Sequence, residues 1–514
     1  MELNSVTRRD FVRLIGLGSG ATLLVACNSR TSTVTSGPLT SSASPDSFGE
    51  ANLEIALRAK EGQVQIFPGS PTDVWHYEAE LIKGPSNTIQ KIPDSYLGPI
   101  IRAVRGDRVR VHFTNELREE TIVHWHGLHV SPEADGHPRL AIQPGETYTY
   151  EFTVKDRAGT YWFHPHPHGR TGPQVYFGLA GIFIVSDEEE RNLALPAAKN
   201  DIPLVIQDRS FNENNQLTYG GTGMMTQMVG FLGNQILING QSNFSLSLAN
   251  QSYRLRLING SNSRIYKLAW DDGSPLTVIG TDGGLLEKPV EKNYVTLAPA
   301  QRIELWVDLT KHSVGDVIKL IHLPADVPGG ASSFSVIEIN VNHSESSSIP
   351  LPKKLARLEL RDIAEATNLR TPRSYSFSFG MGMRWTINGR SFEMTGVAQD
   401  EIVKLNELEV WKFDNQLSNS GMGMMNESLP HPIHIHGLQF QVIEREVTKA
   451  GRPAWESLSD GFVDEGWHDT VLVMPGETVK VLLKFEDYAG LYLYHCHNLE
   501  HEDMGMMRNF RIEV

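Results

Sequence analysis

One sequence frame occurs twice in this chain, and the duplication limits the folds open to it. Pro144-Gly145-Glu146-Thr147 is followed by Ala158-Gly159-Thr160-Tyr161-Trp162-Phe163-His164-Pro165-His166. Pro475-Gly476-Glu477-Thr478 is followed, at the same spacing, by Ala489-Gly490-Leu491-Tyr492-Leu493-Tyr494-His495-Cys496-His497. Upstream, His124-Trp125-His126-Gly127-Leu128 is echoed by His434-Ile435-His436-Gly437-Leu438. A weaker third copy reads Pro299-Ala300-Gln301-Arg302 and carries no histidine pair. Self-similarity of this kind marks repeated structural units. Three related domains are expected, the outer two each bearing half of a metal site.

Between the repeats, Arg108–Phe113, Thr147–Phe152, Arg254–Leu257, Arg302–Val307 and Val479–Phe485 alternate apolar and polar residues. Period-two alternation bounded by Gly, Pro and Asn marks half-buried antiparallel strands. Long amphipathic helical patterns are scarce, so the class is all-β, built of sandwiches or barrels. Breaks at Leu195-Pro196-Ala197-Ala198 and at Ser344–Ser348 before Pro350 divide the chain into domains at 50–195, 196–355 and 356–514.

The N-terminus reads as an address. Arg8 and Arg9 precede an apolar run, Leu14–Ala26, too short to span a bilayer; this is the layout of a twin-arginine signal over residues 1–27. Leu24-Val25-Ala26-Cys27 resembles a lipoprotein cleavage box, in which Cys27 is acylated. Residues 28–49, rich in Ser, Thr and Pro, are too polar to bury a core and form a flexible tether. The expected location is the periplasm or outer cell envelope, with a lipid anchor at Cys27. A net charge of -15 argues against nucleic acid as a partner. Two cysteines exclude a disulfide-stapled scaffold and leave Cys496 without a partner. A lone thiol in an oxidising compartment calls for burial or a metal.

Fourteen of the 19 histidines fall in two windows, 124–168 and 431–501, which locates the chemistry. On a strand, residues i and i+2 share a face. The pairs 124/126, 164/166, 434/436 and 495/497 therefore each present two imidazoles side by side, and two strands from each outer domain would bring eight together. Imidazole suits Cu, Zn, Fe and Ni. Cys496 selects among them. Lying between His495 and His497, its sulfur leaves the opposite face, toward His431, His501 and a weak axial thioether. Spacing favours Met506 over Met504 and Met507 for that role. A His2Cys site with a distant Met is the blue-copper arrangement.

HWHGLH, WFHPHPHG, HPIHIHG and HCHNLEHEDMGMM resemble the four copper signatures of multicopper oxidases, and the similarity spans nearly the whole chain after the tether. The resemblance implies three consecutive cupredoxin-like Greek-key β-barrel domains and four copper ions. By position, His431, Cys496, His501 and Met506 would hold the type 1 copper. His124 and His434 would hold the type 2 copper. His126, His164, His166, His436, His495 and His497 would hold the type 3 pair. His168 falls outside the ligand pattern and is expected as a hydrogen-bonding neighbour; His129 and His137 are expected as local structure or pocket lining. Asp135 and Glu502 match acidic positions that the family uses near its solvent channels, which implies a proton-relay role.

The activity so implied is oxidation of a reducing substrate coupled to reduction of dioxygen to water. Met383-Arg384-Trp385-Thr386-Ile387-Asn388-Gly389-Arg390 resembles the branch with bilirubin oxidases and spore-coat laccases, which implies phenols and aromatic amines as substrates. The clusters Met224-Met225-x-x-Met228, Met381-x-Met383 and Met422-x-Met424-Met425 favour Cu(I) as well, because thioethers prefer it. A monomer is expected. The alternative is a copper-free scaffold protein of the cell envelope, a role taken by three-domain relatives that have lost their ligands.

Overall fold

The computed structural model describes residues 49–220, 223–345, 348–380, 384–417 and 429–514. The twin-arginine segment, Cys27, nearly all of the tether and Met381, Met383, Met422, Met424 and Met425 lie outside the described residues. No helix among the described residues is long and apolar enough to cross a membrane.

Six sheets form three pairs, each pair enclosing its own apolar core. In the first, a four-stranded sheet with Leu53–Val64 and Arg108–Asn115 faces a five-stranded sheet containing Val123–His126 and Gly159–Pro165. Leu53, Ile55 and Leu57 alternate inward along the opening strand, as a half-buried strand requires. The middle pair spans Asp201–Arg209 to Phe334–His343, and the third Arg373–Gly380 to Met507–Glu513.

The repeat is visible in strand pairing as well as in sequence. Each pair of sheets opens on a parallel pairing: Leu53–Val64 with Arg108–Asn115, Asp201–Arg209 with Ser252–Asn259, and Arg373–Gly380 with Leu408–Asn415. The opposite sheets repeat a second one, Ile100–Val104 with Gly181–Ser186, Ser245–Ala249 with Phe334–His343, and Ile402–Lys404 with Met507–Glu513. These pairings modify the purely antiparallel expectation. Strands that are adjacent in a sheet but distant in sequence run parallel when the chain crosses between the two layers.

A second departure concerns Arg254 and Arg256. Their alternation with leucine suggests one solvated face, yet every residue of Ser252–Asn259 is buried. Both guanidiniums meet Glu304 from the neighbouring strand, Arg254 Nε at 2.8 Å and Arg256 Nη1 at 2.8 Å. Glu190 and Thr160 of the first domain complete the network, with Thr160 Oγ1 donating to Glu304 at 2.6 Å. The polar face of the strand is covered by another domain rather than by water. Removing one partner of such a group leaves buried charge uncompensated, at about 3–5 kcal/mol. Glu304→Ala is therefore expected to lower the unfolding free energy by about that amount, read from the shift of the denaturation midpoint. Glu444→Ala, which breaks an exposed pair with Lys480, should change it little when measured alongside.

Candidate metal centre

Cys496 ends the strand Gly490–Cys496, which pairs antiparallel with His431–Ile435 so that Ile433 lies opposite Cys496 and His434 opposite His495. Alternation sends His431 and Cys496 to one face and His434 and His495 to the other. On the first face, Cys496 Sγ lies 3.5 Å from His431 Nδ1 and 3.6 Å from His501 Nδ1, and the two nitrogens are 3.2 Å apart. A triangle with such sides has its centre about 2.0 Å from each corner, a first-row metal to imidazole distance. His501 comes from the short helix Leu499–Asp503, capped by the Asn498 side chain. Its outer nitrogen, Nε2, donates to the Met228 carbonyl at 2.8 Å, which leaves Nδ1 free to bind. The Asn498 amide N–H points at the sulfur from 3.4 Å.

Three methionines follow His501. Met506 is fully buried in the cluster that contains Cys496, and its carbonyl accepts from the Cys496 amide at 3.0 Å. Met507 packs elsewhere, with Phe392 and Leu493, and Met504 is only partly buried.

The other face belongs to eight imidazoles from both outer domains. His124 Nε2 and His434 Nε2 are 3.3 Å apart. His126 Nδ1 and His497 Nε2 each lie 3.4 Å from His164 Nε2. His495 Nε2 stands 3.3 Å from His166 Nε2 and 3.0 Å from His436 Nε2. Outer nitrogens are tied down mostly by backbone: His124 Nδ1 to the Asp135 carbonyl at 2.6 Å, His434 Nδ1 to the Asp469 carbonyl at 2.8 Å, and His164 Nδ1 to the Pro165 carbonyl at 2.9 Å. Each such bond places the ring proton outward and turns a bare lone pair inward.

Electrostatics agree with a cation at both places. Burial drives the pKa of His124, His126, His431, His434, His436 and His497 well down, that of His164 to about 4 and those of His166 and His501 to about 3. Neutral imidazoles with lone pairs facing each other at 3.0–3.4 Å repel unless a cation lies between them. Burial also pushes the Cys496 thiol well up, so its thiolate requires a metal. The donors suit a soft-to-borderline transition metal, and the buried His2Cys set suits copper.

Asp135 and Glu502 are both buried against the cluster. Asp135 Oδ2 accepts from His436 Nδ1 at 2.8 Å, while its Oδ1 has no hydrogen-bond partner among the described residues and lies 3.7 Å from His124 Nδ1. Glu502 lies 3.2 Å from His495 Nδ1 and 3.6 Å from His166 Nε2; burial raises its pKa, but those imidazoles outweigh burial and hold it at about 2. His137 is local structure, bonded to Asn509 and capping a short turn, and His129 bridges the Gly437 carbonyl and Asp487. His168 departs from expectation: it is exposed, packs its ring 4.9 Å from Phe392, and bonds to no cluster imidazole among the described residues.

Two residues escaped the sequence reading. Asp469 lies buried beside the cluster, with Oδ1 3.0 Å from His126 Nε2, and Arg302 of the middle domain is paired to it. The available signal was the third repeat, where Arg302 stands at the position that Thr147 and Thr478 hold in the outer copies.

Family models described as multicopper oxidase match residues 74–190, 186–316 and 366–514. The multicopper oxidase mco of Staphylococcus haemolyticus is 30% identical over 456 residues, 89% of this chain and 88% of that protein. The crystal structure of McoA, a multicopper oxidase from Aquifex aeolicus, superposes with a TM-score of 0.77 at 34% identity, covering 90% of this chain and 97% of McoA. The cell division protein FtsP of Photorhabdus laumondii is 28% identical over 98% of this chain and 97% of its own length. This chain belongs to the multicopper oxidases, and its fold is three consecutive cupredoxin-like domains.

The depressed imidazoles set a pH dependence. Folding lowers the pKa of His164, His166 and His501, so below the unfolded value near 6.5 the unfolded chain binds more protons and stability falls with pH. Each of the three contributes a loss of about 1.4 kcal/mol per pH unit between 6.5 and its folded value. Denaturation midpoints of chelator-stripped protein should therefore drop steadily from pH 6.5 to 4, and metal should flatten the curve.

Proposed function

We propose that this protein couples one-electron oxidation of a reducing substrate to four-electron reduction of dioxygen to water. The observation that carries the reading is the juxtaposition at the end of one strand: a thiol facing two imidazoles on one side and, one residue away in each direction, two members of an eight-imidazole cluster on the other. His431, Cys496, His501 and Met506 would hold a type 1 copper. His124 and His434 would hold a type 2 copper, and His126, His164, His166, His436, His495 and His497 a type 3 pair. Copper supplies one-electron exchange at the first site and the joint delivery of four electrons at the second.

The chain's own residues do the rest. Cys496 and its neighbours His495 and His497 form a covalent path only a few bonds long between the two sites. Burial of every donor would keep bulk water away from the metals these side chains hold. Asp135 and Glu502 stand at the outer nitrogens of His436 and His495, where they would pass protons toward the cluster.

Phenols and aromatic amines fit an oxidant of this kind. A second substrate, Cu(I), is favoured by the helix Met224–Val229. The Met228 carbonyl holds His501, and Met225 in the same helix is 65% exposed, so a thioether stands at the surface beside the electron entry point. The protein would act in the periplasm or outer envelope, exported through Arg8 and Arg9 and anchored at Cys27; mass spectrometry of the mature N-terminus tests this.

Near four coppers per chain by elemental analysis, intense blue colour and oxygen uptake at one O2 per four electrons are expected. One copper or none would overturn the oxidase reading, and none would favour the copper-free scaffold instead. Cys496→Ser should lose the colour and at least a thousandfold in turnover while the cluster metal stays. Asp135→Asn should slow oxygen consumption most at high pH, and an unchanged pH profile removes Asp135 from the relay.

A further inference from the structure

We propose that Arg302, contributed by the middle domain that supplies none of the twelve donors, is a positioning residue for the imidazole cluster and acts through Asp469. The inference rests on the reading that these imidazoles hold copper.

All five N–H groups of Arg302 are engaged in a fully buried setting. Nε donates to the Thr160 carbonyl at 2.9 Å, Nη1 to the Ala300 carbonyl at 3.0 Å and Asp469 Oδ1 at 2.7 Å, and Nη2 to the Asp282 carbonyl at 3.1 Å and to Asp469 Oδ2. This two-point clamp fixes both the plane and the charge of the Asp469 carboxylate. Asp469 in turn orients two rings from different domains. Its Oδ1 accepts from His126 Nε2 at 3.0 Å and its main-chain carbonyl from His434 Nδ1 at 2.8 Å, and the rings stack 3.7 Å apart at 14°.

His126 carries the consequence. Among the eight imidazoles it alone has Nε2 tied outward, so it alone turns Nδ1 toward His164. Gly127 shows how closely the clamp fits. Its φ is +87°, and a Cβ there would collide with the Asp469 carboxylate and the Arg302 guanidinium. Arg302 also donates to the carbonyl of Thr160 on Gly159–Pro165, the first-domain strand that carries His164, so one guanidinium ties all three domains to the cluster.

The test compares copper-loaded, full-length wild type with Arg302→Met, Arg302→Lys, Asp469→Asn and Glu304→Gln. Each is dialysed against graded chelator while copper per chain, the blue absorbance of the Cys496 site and the electron-spin resonance signature of the His124/His434 metal are followed. Arg302→Met and Asp469→Asn should release cluster copper at 10–100-fold lower chelator, with an altered resonance signature and unchanged blue absorbance. Glu304→Gln, which disturbs a buried ion network without touching an imidazole, should hold cluster copper as wild type does. Arg302→Lys keeps the charge but not the fork and should also release it early. If Arg302→Met fails to fold, Arg302→Lys and Asp469→Asn carry the comparison. Wild-type retention in these variants overturns the inference, as does loss of blue absorbance in step with cluster copper. A wild-type chain with blue copper but no cluster copper overturns the copper reading itself.

Discussion

Successive side chains leave an extended chain on opposite sides, and the organisation of this protein depends on that geometry at the end of one strand, at His495 and Cys496 and at His497 just beyond them. Cys496 faces the interior of the third domain, among Tyr492, Tyr494 and Phe510, while His495 and His497 face the domain boundary. Strand geometry holds the His2Cys site and the imidazole cluster close together at a fixed separation. The neighbouring strand His431–Ile435 obeys the same rule, with His431 on the sulfur side and His434 on the other. The two strands thus act as a plate with a different metal-binding chemistry on each face.

Burying so many imidazoles is unfavourable unless they stay neutral and their outer nitrogens find partners. The protein meets this chiefly with backbone carbonyls, at His124, His164, His434 and His501, which orient rings without adding charge. Carboxylates appear at only a few points: Asp135 and Glu502 stand without a buried cation opposite them, whereas Asp469 is neutralised by Arg302. The contrast is one of partners: Asp135 and Glu502 face imidazoles, whereas Asp469 is also clamped by a guanidinium.

The middle domain lacks histidine pairs, yet it is not a spacer. Its Arg254, Arg256 and Glu304 interlock with Glu190 and Thr160 of the first domain, and its Arg302 reaches Asp469 of the third. Buried ionic contacts are directional, so they hold outer domains in a single arrangement where apolar contact alone would tolerate sliding.

Much of this was readable from local pattern. Histidines spaced by two, a cysteine between two of them and a repeated Pro-Gly-Glu-Thr frame specify strands, faces and pairing partners, because side-chain direction along a strand depends only on parity. Tertiary structure alone decided what covers each face. Arg254 and Arg256 look solvated in the sequence and are sealed by the first domain; Asp469 and Arg302 acquire their role only where three domains meet. Parity is a property of neighbours in the chain, whereas burial and charge pairing depend on residues hundreds of positions away.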